Sequence, residues 1–252
     1  MNNFATPYRG AIALNNLAVV LQERQCGHQA LETFSDALSL MKIASSRETA
    51  DVSRKDVDDM IQRGFQRFAN PSPSRQDIAM HFTSVSDDAD FTAAMNAVSH
   101  GCHASNQGIM IRFEEYGAEC QSERDEDLDS AVIVHNYGLS CLAMFQTHVH
   151  GSSQSNRCKT RRNALKLLQF SHIILSKRVS HQFDEDVESV ITEKIFFVTL
   201  LVTKSMAQAL FFAENKEWKV KECLEYLTKL KRLAHDLYVV DSQQSKKIAA
   251  AA

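Results

Sequence analysis

Residues 14–41 carry the pattern that most limits what this chain can form: LNNLAVVLQERQCGHQALETFSDALSLM. Apolar residues recur there at steps of three and four, the spacing that places side chains on one face of a helix. The first run holds Leu14, Leu17, Ala18 and Leu21, and the second holds Ala30, Phe34, Ala37 and Met41. The polar stretch between them contains Gly27, which favours the end of a helix. The pattern predicts a hairpin of two antiparallel helices.

A single helical hairpin of this size cannot bury both of its faces, so the pattern also predicts further hairpins stacked on the first. Two more candidates follow in the sequence. AVIVHNYGLSCL, residues 131–142, places Tyr137, Gly138 and Cys141 where the first hairpin has Leu17, Ala18 and Leu21. The preceding asparagine recurs as well, because Asn136 stands where the first hairpin has Asn16.

The second helices of these copies keep the same steps of four and then three. NALKLLQFSHIIL supplies Ala164, Leu168 and Ser171, which correspond to Ala30, Phe34 and Ala37. The third copy has the weakest pattern. Its helices carry one apolar face each, built from Met206, Ala207 and Leu210 and from Val220, Leu224 and Leu227.

The first hairpin resembles a tetratricopeptide repeat, whose two helices carry a Leu-Gly/Ala pair followed by an Ala, an aromatic and an Ala. The residues that match are Leu17, Ala18, Leu21, Ala30, Phe34 and Ala37. The second hairpin resembles the same repeat through Tyr137, Gly138, Ala164 and Leu168. Its two helix sequences also resemble a set of uncharacterised tetratricopeptide-like proteins of unicellular algae.

The resemblance implies an all-α fold and a role in binding other proteins, and it assigns no activity; an enzyme of unknown class is the weakest alternative. A partner peptide or helix would lie across the first helices of the hairpins. The residues expected on that face are Asn15, Val19, Gln22 and Glu23 in the first hairpin, His135 and Leu139 in the second, and Lys204, Gln208 and Phe212 in the third.

The predicted architecture is a single all-α domain over residues 1–252. Hairpins of tetratricopeptide type occupy residues 11–44, 131–178 and 187–240. An irregular insertion at 45–130 separates the first two, whereas repeats of this family normally follow one another about every 34 residues. The alternative is an irregular helical bundle without a continuous groove.

The insertion has local signals of its own. RKDVDDMIQRGFQRFA, residues 54–69, predicts an amphipathic helix with one apolar stripe: Val57, Ile61, Phe65 and Phe68. GIMIRFEEY, which starts at Gly108, alternates apolar and other residues as a strand does. Because a lone strand is unstable, we expect it to lie along the helices or to pair with AMHFTSV at residues 79–85.

Composition supports helices and argues against several function classes. With only 8 Gly and 3 Pro in 252 residues, few tight turns can form, which disfavours many-stranded folds. A net charge of -3 is not that of a protein that coats nucleic acid. No continuous apolar run reaches the ~20 residues of a membrane span, and the N-terminus lacks a secretory pattern. We therefore expect a cytoplasmic or nuclear protein that does not bind membranes.

The sequence offers no recognisable catalytic or cofactor site. Phosphate-binding glycine loops and the common hydrolase and metalloprotease motifs are missing. The six cysteines form no Cys-x-x-Cys pair, which fits free thiols in a reducing compartment. Two clusters of possible ligands, His100/Cys102/His103 and His148/His150, have no matching second half for zinc. We predict no metal, no cofactor and no enzyme activity.

The strongest local charge feature is NRCKTRR, residues 156–162, which we interpret as a solvated basic loop entering a helix. Its cations are Arg157, Lys159, Arg161 and Arg162. The alternative function is therefore an electrostatic binder of nucleic acid or of acidic or phosphorylated partners. The identity of the partner and the oligomeric state do not follow from the sequence.

Overall fold

The computed structural model describes residues 5–46, 53–73, 81–84, 107–111, 126–147, 154–182 and 190–211, together with six residues between 221 and 229. Helix dominates this part of the chain, as the sequence predicts. The helices are α1 (Ala5–Glu23), α2 (Gly27–Ser45), α3 (Arg54–Ala69), α4 (Glu126–Thr147), α5 (Gln154–Gln182) and α6 (Val190–Phe211). Two short strands, β1 (His81–Ser84) and β2 (Gln107–Met110), complete the described elements.

The first predicted hairpin is present as α1 and α2, joined by three residues. Its turn does not form where the sequence places it, because Gly27 begins α2 instead of ending α1. The left-handed residue of the turn is Gln25, with φ of 62°. The Cys26 amide then donates to the Leu21 carbonyl at 2.9 Å, which closes the C-terminal turn of α1.

Helix α3 begins and ends where the sequence predicts and lies against α1 and α2. It approaches α1 closely at Gly64, where an added Cβ would stand 2.2 Å from Leu14 Cδ2. On the α2 side, the Arg67 guanidinium is 2.7 Å from Asp36 Oδ2, and Arg63 is 3.1 Å from Asp36 Oδ1. The predicted stripe is only partly buried, because Phe65 is 51% exposed.

The second predicted hairpin is present as α4 and α5. The two helices touch closely at Gly138, where an added Cβ would lie 3.0 Å from Leu168 Cδ2 and 3.4 Å from the Ala164 carbonyl oxygen. Ser171 Oγ also donates to the Ala131 carbonyl at 2.8 Å. Since α4 ends at Thr147 and α5 begins at Gln154, the connection is shorter than the sequence suggests.

Helices α1 and α4 run parallel, which follows from three polar contacts in the same order along both. The Tyr8 hydroxyl donates to Asp129, Asn136 Nδ2 donates to Asn15 Oδ1 at 2.9 Å, and Ser140 Oγ donates to Gln22 Oε1 at 3.1 Å. The paired residues are 121, 121 and 118 positions apart in the chain. The first helices of the first two hairpins thus lie side by side in the same direction.

The two strands form a parallel pair, with Phe82 opposite Gly108 and Thr83 opposite Ile109. The predicted pairing of these two segments is therefore present. The strand β2 lies along α1 and α4, and its Ile109 is fully buried in the largest apolar core. That core also receives side chains from α1, α2, α3, α4, α5 and α6.

Helix α6 supplies much of the core through a nearly continuous apolar run, Ile195, Phe196, Phe197, Val198, Leu200, Leu201 and Val202, all buried. The described residues after it, such as Lys221 and Tyr226, are helical. The Tyr226 ring meets the edge of His172 on α5 at a centroid distance of 5.4 Å.

One of the described helices is long and apolar enough, by length and composition alone, to cross a membrane. It is the segment Glu126–Gln146 of α4, of which 83% of the apolar window is buried inside the protein. A core helix of a folded domain passes the same test, so this is weak evidence for a membrane location.

The tight contact at Gly138 predicts that Gly138→Leu destabilises the protein by about 1–3 kcal/mol, because an overpacked interface forces α4 and α5 apart. Urea denaturation measures this change. Lys166→Leu, which places the same side chain on the exposed face of α5, is the control and should be nearly neutral. Equal stabilities of both variants would contradict the close contact.

Candidate functional site

The extended segment Gln107–Ile111 is held by its main chain between α1 and α4. Ile109 forms two hydrogen bonds with Asn136. The Ile109 amide donates to Asn136 Oδ1 at 2.9 Å, and the Ile109 carbonyl accepts from Asn136 Nδ2 at 2.7 Å. One asparagine of α4 thus binds both polar groups of one residue. Both partners are buried.

The same arrangement recurs two residues later on α1. The Ile111 amide donates to Asn16 Oδ1 at 2.9 Å, and Asn16 Nδ2 donates to the Ile111 carbonyl at 2.6 Å. In an extended chain, residues i and i+2 present their N–H and C=O groups to the same side. Asn136 and Asn16 therefore form hydrogen bonds with two alternate residues, Ile109 and Ile111, on the same edge of the strand. The opposite edge faces β1.

Asn15 joins the two pairs into one network. Its Nδ2 donates to Asn16 Oδ1 at 3.1 Å and to the Ile109 carbonyl at 3.2 Å, and its Oδ1 accepts from Asn136 at 2.9 Å. A neutral amide side chain has both donors and an acceptor, so three amides can satisfy one another and the strand at once. The network thereby satisfies the backbone groups of Ile109 at full burial, where each unpaired group costs about 1–3 kcal/mol.

The side chains of this segment meet apolar surface on the helices. Ile109 and Ile111 are 0% and 7% exposed and belong to the main core, together with residues of α1 and α4. Met110 is half-buried against a second cluster that contains Ala18 and Phe34. The face of α1 and α4 therefore binds an extended segment through its backbone and through alternate apolar side chains.

Five of the residues predicted to line an open partner-binding face are instead buried within the protein: Asn15, Val19, Gln22, His135 and Leu139 are at most 2% exposed. Segment 107–111 of the chain itself covers Asn15, and Gln22 lies in the contact between α1 and α4. The expectation of an open face therefore needs correction at these positions.

The remaining predicted residues have mixed environments. Glu23 is exposed at the end of α1, and Lys204 and Gln208 on α6 are half-buried. Gln208 Oε1 has no hydrogen-bond partner in the part of the chain that the structure describes. Phe212 lies outside the described residues.

The basic segment is the start of a helix and not a loop, since α5 begins at Gln154. Lys159 and Arg162 are exposed on it. Arg161 is half-buried, with its guanidinium carbon 6.0 Å from the Phe145 ring centroid near the end of α4. The side chain of Arg157 lies outside the described residues. These cations are far from the N-terminus of α4, where Asp127 is 3.8 Å from Arg178.

Burial shifts two of the titratable side chains considered from the sequence, Cys141 on α4 and His172 on α5, toward their neutral forms. Burial raises the pKa of the Cys141 thiol to about 12, so it carries no thiolate at neutral pH. Burial also lowers the pKa of His172, whose Nδ1 is 3.2 Å from Ser176 Oγ. Within the described ranges, no three His, Cys, Asp or Glu side chains are grouped as metal ligands. The two clusters at 100–103 and 148–150 lie outside those ranges.

Comparison with protein-family models, curated proteins and solved structures gives no match to this chain.

Sequence reasoning did not assign the two asparagines that hold the strand. It noticed that Asn16 and Asn136 occupy the same position in their hairpins, but it placed the neighbouring Asn15 and His135 on the binding face. One sequence feature could have indicated this contact: an asparagine that recurs at the same hairpin position, together with a lone Ile-x-Ile strand. A lone strand needs partners for its backbone, and a recurring amide can provide them.

The amide network predicts that Asn136→Ala destabilises the protein by about 2–5 kcal/mol, because it leaves the buried N–H and C=O of Ile109 without their closest partner. Asn163→Ala is the matched control, since Asn163 is exposed on α5. Chemical denaturation of both variants measures the difference. Similar midpoints would show that the network contributes little to stability.

The thiol environments predict different rates of alkylation in the native protein. Cys158 is exposed, whereas Cys26 and Cys141 are buried. With iodoacetamide at pH 8, we expect Cys158 to react at least about tenfold faster than Cys141, because only accessible thiolate reacts. Peptide mass spectrometry over a time course measures both rates. Comparable rates would mean that α4 opens easily.

Proposed function

We propose that this protein is an interaction scaffold that binds a segment of a partner protein across the first helices of tetratricopeptide-type hairpins. The pairwise order of the helices supports this arrangement. Helices α1 and α2 pack as one hairpin, α4 and α5 as the next, and α4 runs parallel to α1 and also contacts α2. Such stacking of like helices side by side is how helical repeats build a binding face.

The observation that carries the proposal is the pairing of Asn16 and Asn136 with an extended main chain. Hydrogen bonds to backbone groups supply affinity that does not depend on the sequence of the bound segment. Pockets for alternate side chains then supply the selectivity. A face with both properties has the chemistry of a peptide-binding surface.

Residues of the predicted face that retain some exposure extend this surface toward solvent. Glu23 is exposed and places a carboxylate at the end of α1. Lys204 and Gln208 are half-buried on α6, and Gln208 Oε1 itself is shielded from solvent. Amide and charged groups at the rim of an apolar site fix the register of a bound peptide more than they add affinity.

A second candidate function rests on the exposed cations of α5. Lys159, Arg162 and Lys166 are all exposed along the first half of that helix. Such a cluster attracts acidic partners at low ionic strength. Replacing Lys159 and Arg162 by Ser should leave the melting temperature nearly unchanged, because exposed charges contribute little to stability. It should slow association with an acidic partner.

Affinity capture with quantitative mass spectrometry tests the scaffold proposal. The immobilised protein is compared with the variant Glu23→Ala/Lys204→Ala/Gln208→Ala. The control is Lys55→Ala/Gln62→Ala/Lys177→Ala, which changes exposed residues away from the predicted face. We expect partners captured by the wild type and the control to fall about fivefold or more on the face variant, the effect of about 1 kcal/mol. Equal capture by all three proteins would contradict the proposed location.

A further inference from the structure

We infer that the segment Gln107–Ile111 is a resident ligand of the α1/α4 face and that this face accepts, in its place, an extended partner segment of the same chemistry. That chemistry is two branched apolar residues at positions i and i+2 of an extended backbone. The inference rests on the proposed function and adds to it the class of partner and the competition that controls its access.

The backbone contacts do not depend on the sequence of the bound segment. Each asparagine binds the N–H and C=O of a single residue, Asn136 at Ile109 and Asn16 at Ile111. Any extended chain repeats these groups every two residues, about 6.6–6.8 Å apart. The two amides therefore require an extended backbone at this spacing and make no contact that is unique to the resident sequence.

The side-chain contacts make the site selective. Ile109 and Ile111 enter the apolar core beside α1 and α4. A charged residue at either isoleucine position would be buried without a counter-ion, at high cost. These constraints define a branched-x-branched pattern for a partner.

The covalent connection gives the resident segment an advantage over a free peptide. Residues 112–125, fourteen in number, join it to α4. The covalent connection makes rebinding of the resident segment an intramolecular event, whereas a free peptide must bind from solution. A partner segment with equal intrinsic affinity is therefore disfavoured until it is abundant or is linked to a second contact. A substitution that weakens binding of the resident segment should raise the affinity for a partner in proportion to the fraction of molecules whose α1/α4 face is unoccupied.

A fluorescein-labelled peptide of residues 105–113, SNQGIMIRF, is the direct probe. Its binding is measured by fluorescence anisotropy to the full-length wild type and to the variant Ile109→Asn/Ile111→Asn, which changes the occupant and leaves Asn15, Asn16 and Asn136 in place. We expect at least about tenfold tighter binding to the variant than to the wild type. The control Phe170→Asn/Ile173→Asn changes two exposed apolar residues of α5 and should behave as the wild type.

Two modified peptides test how the face recognises its ligand. N-methylation at the two isoleucine nitrogens removes the donors to Asn136 and Asn16 and should weaken binding at least about tenfold. Replacement of both isoleucines by Asn should abolish binding. Equal binding of the unmodified and N-methylated peptides would overturn backbone recognition.

If the double variant does not fold, the milder Ile111→Ala takes its place, and the readout becomes the melting temperature. A peptide that binds only the folded protein raises that temperature in a saturable manner. Absence of any rise, or absence of binding to every variant, would overturn exchange at this face. Partner capture that persists in excess peptide would then leave the proposed scaffold function intact at another surface. Peptide binding without any captured partner would contradict the scaffold proposal alone.

Discussion

The described structure depends on satisfying the main chain of one strand inside a helical core. A strand buried among helices brings N–H and C=O groups that no helix backbone can pair, because helices use their own groups internally. Three asparagines on α1 and α4 solve this problem with a closed set of amide hydrogen bonds around Ile109 and Ile111. Without them, the apolar gain from burying two isoleucines would be offset by unpaired polar groups of similar cost.

The same network determines how α1 and α4 are placed. The Asn15–Asn136 contact lies between the contacts of Tyr8 with Asp129 and of Gln22 with Ser140, so the parallel seam is polar at three levels. Polar contacts of defined geometry specify register more strictly than apolar packing does, because each donor needs a particular acceptor. On the other side of α4, the close contact of Gly138 with Leu168 sets the distance between α4 and α5.

A face built in this way has consequences for binding. Its amides contact only backbone atoms of the resident segment, while the selectivity lies in the pockets for Ile109 and Ile111. A ligand would therefore be chosen by the shape of two side chains and by an extended conformation. In the proposed exchange, the resident segment competes in cis, so the apparent affinity for a partner is the intrinsic affinity multiplied by the fraction of molecules whose face is open.

Much of the local structure follows from the sequence. The helix over residues 54–69 and the pairing of the two strand segments agree with the structure because periodicity reports directly on local geometry. The turn before α2 differs from the prediction, since Gln25, and not a glycine, adopts the left-handed conformation there. The basic segment was interpreted as a loop, although its residues extend α5, because charge density says little about backbone conformation.

The sequence by itself determined the helical character of the chain, the small residues at the helix contacts and the alternation of the Ile-x-Ile strand. These properties are local, and each depends on spacing within about a dozen residues. Only the tertiary structure decided that this strand, almost a hundred positions from Asn16, lies across the first helices and covers Asn15. Such burial depends on which distant backbone groups find amide partners, and the spacing of residues along one helix carries no information about that choice.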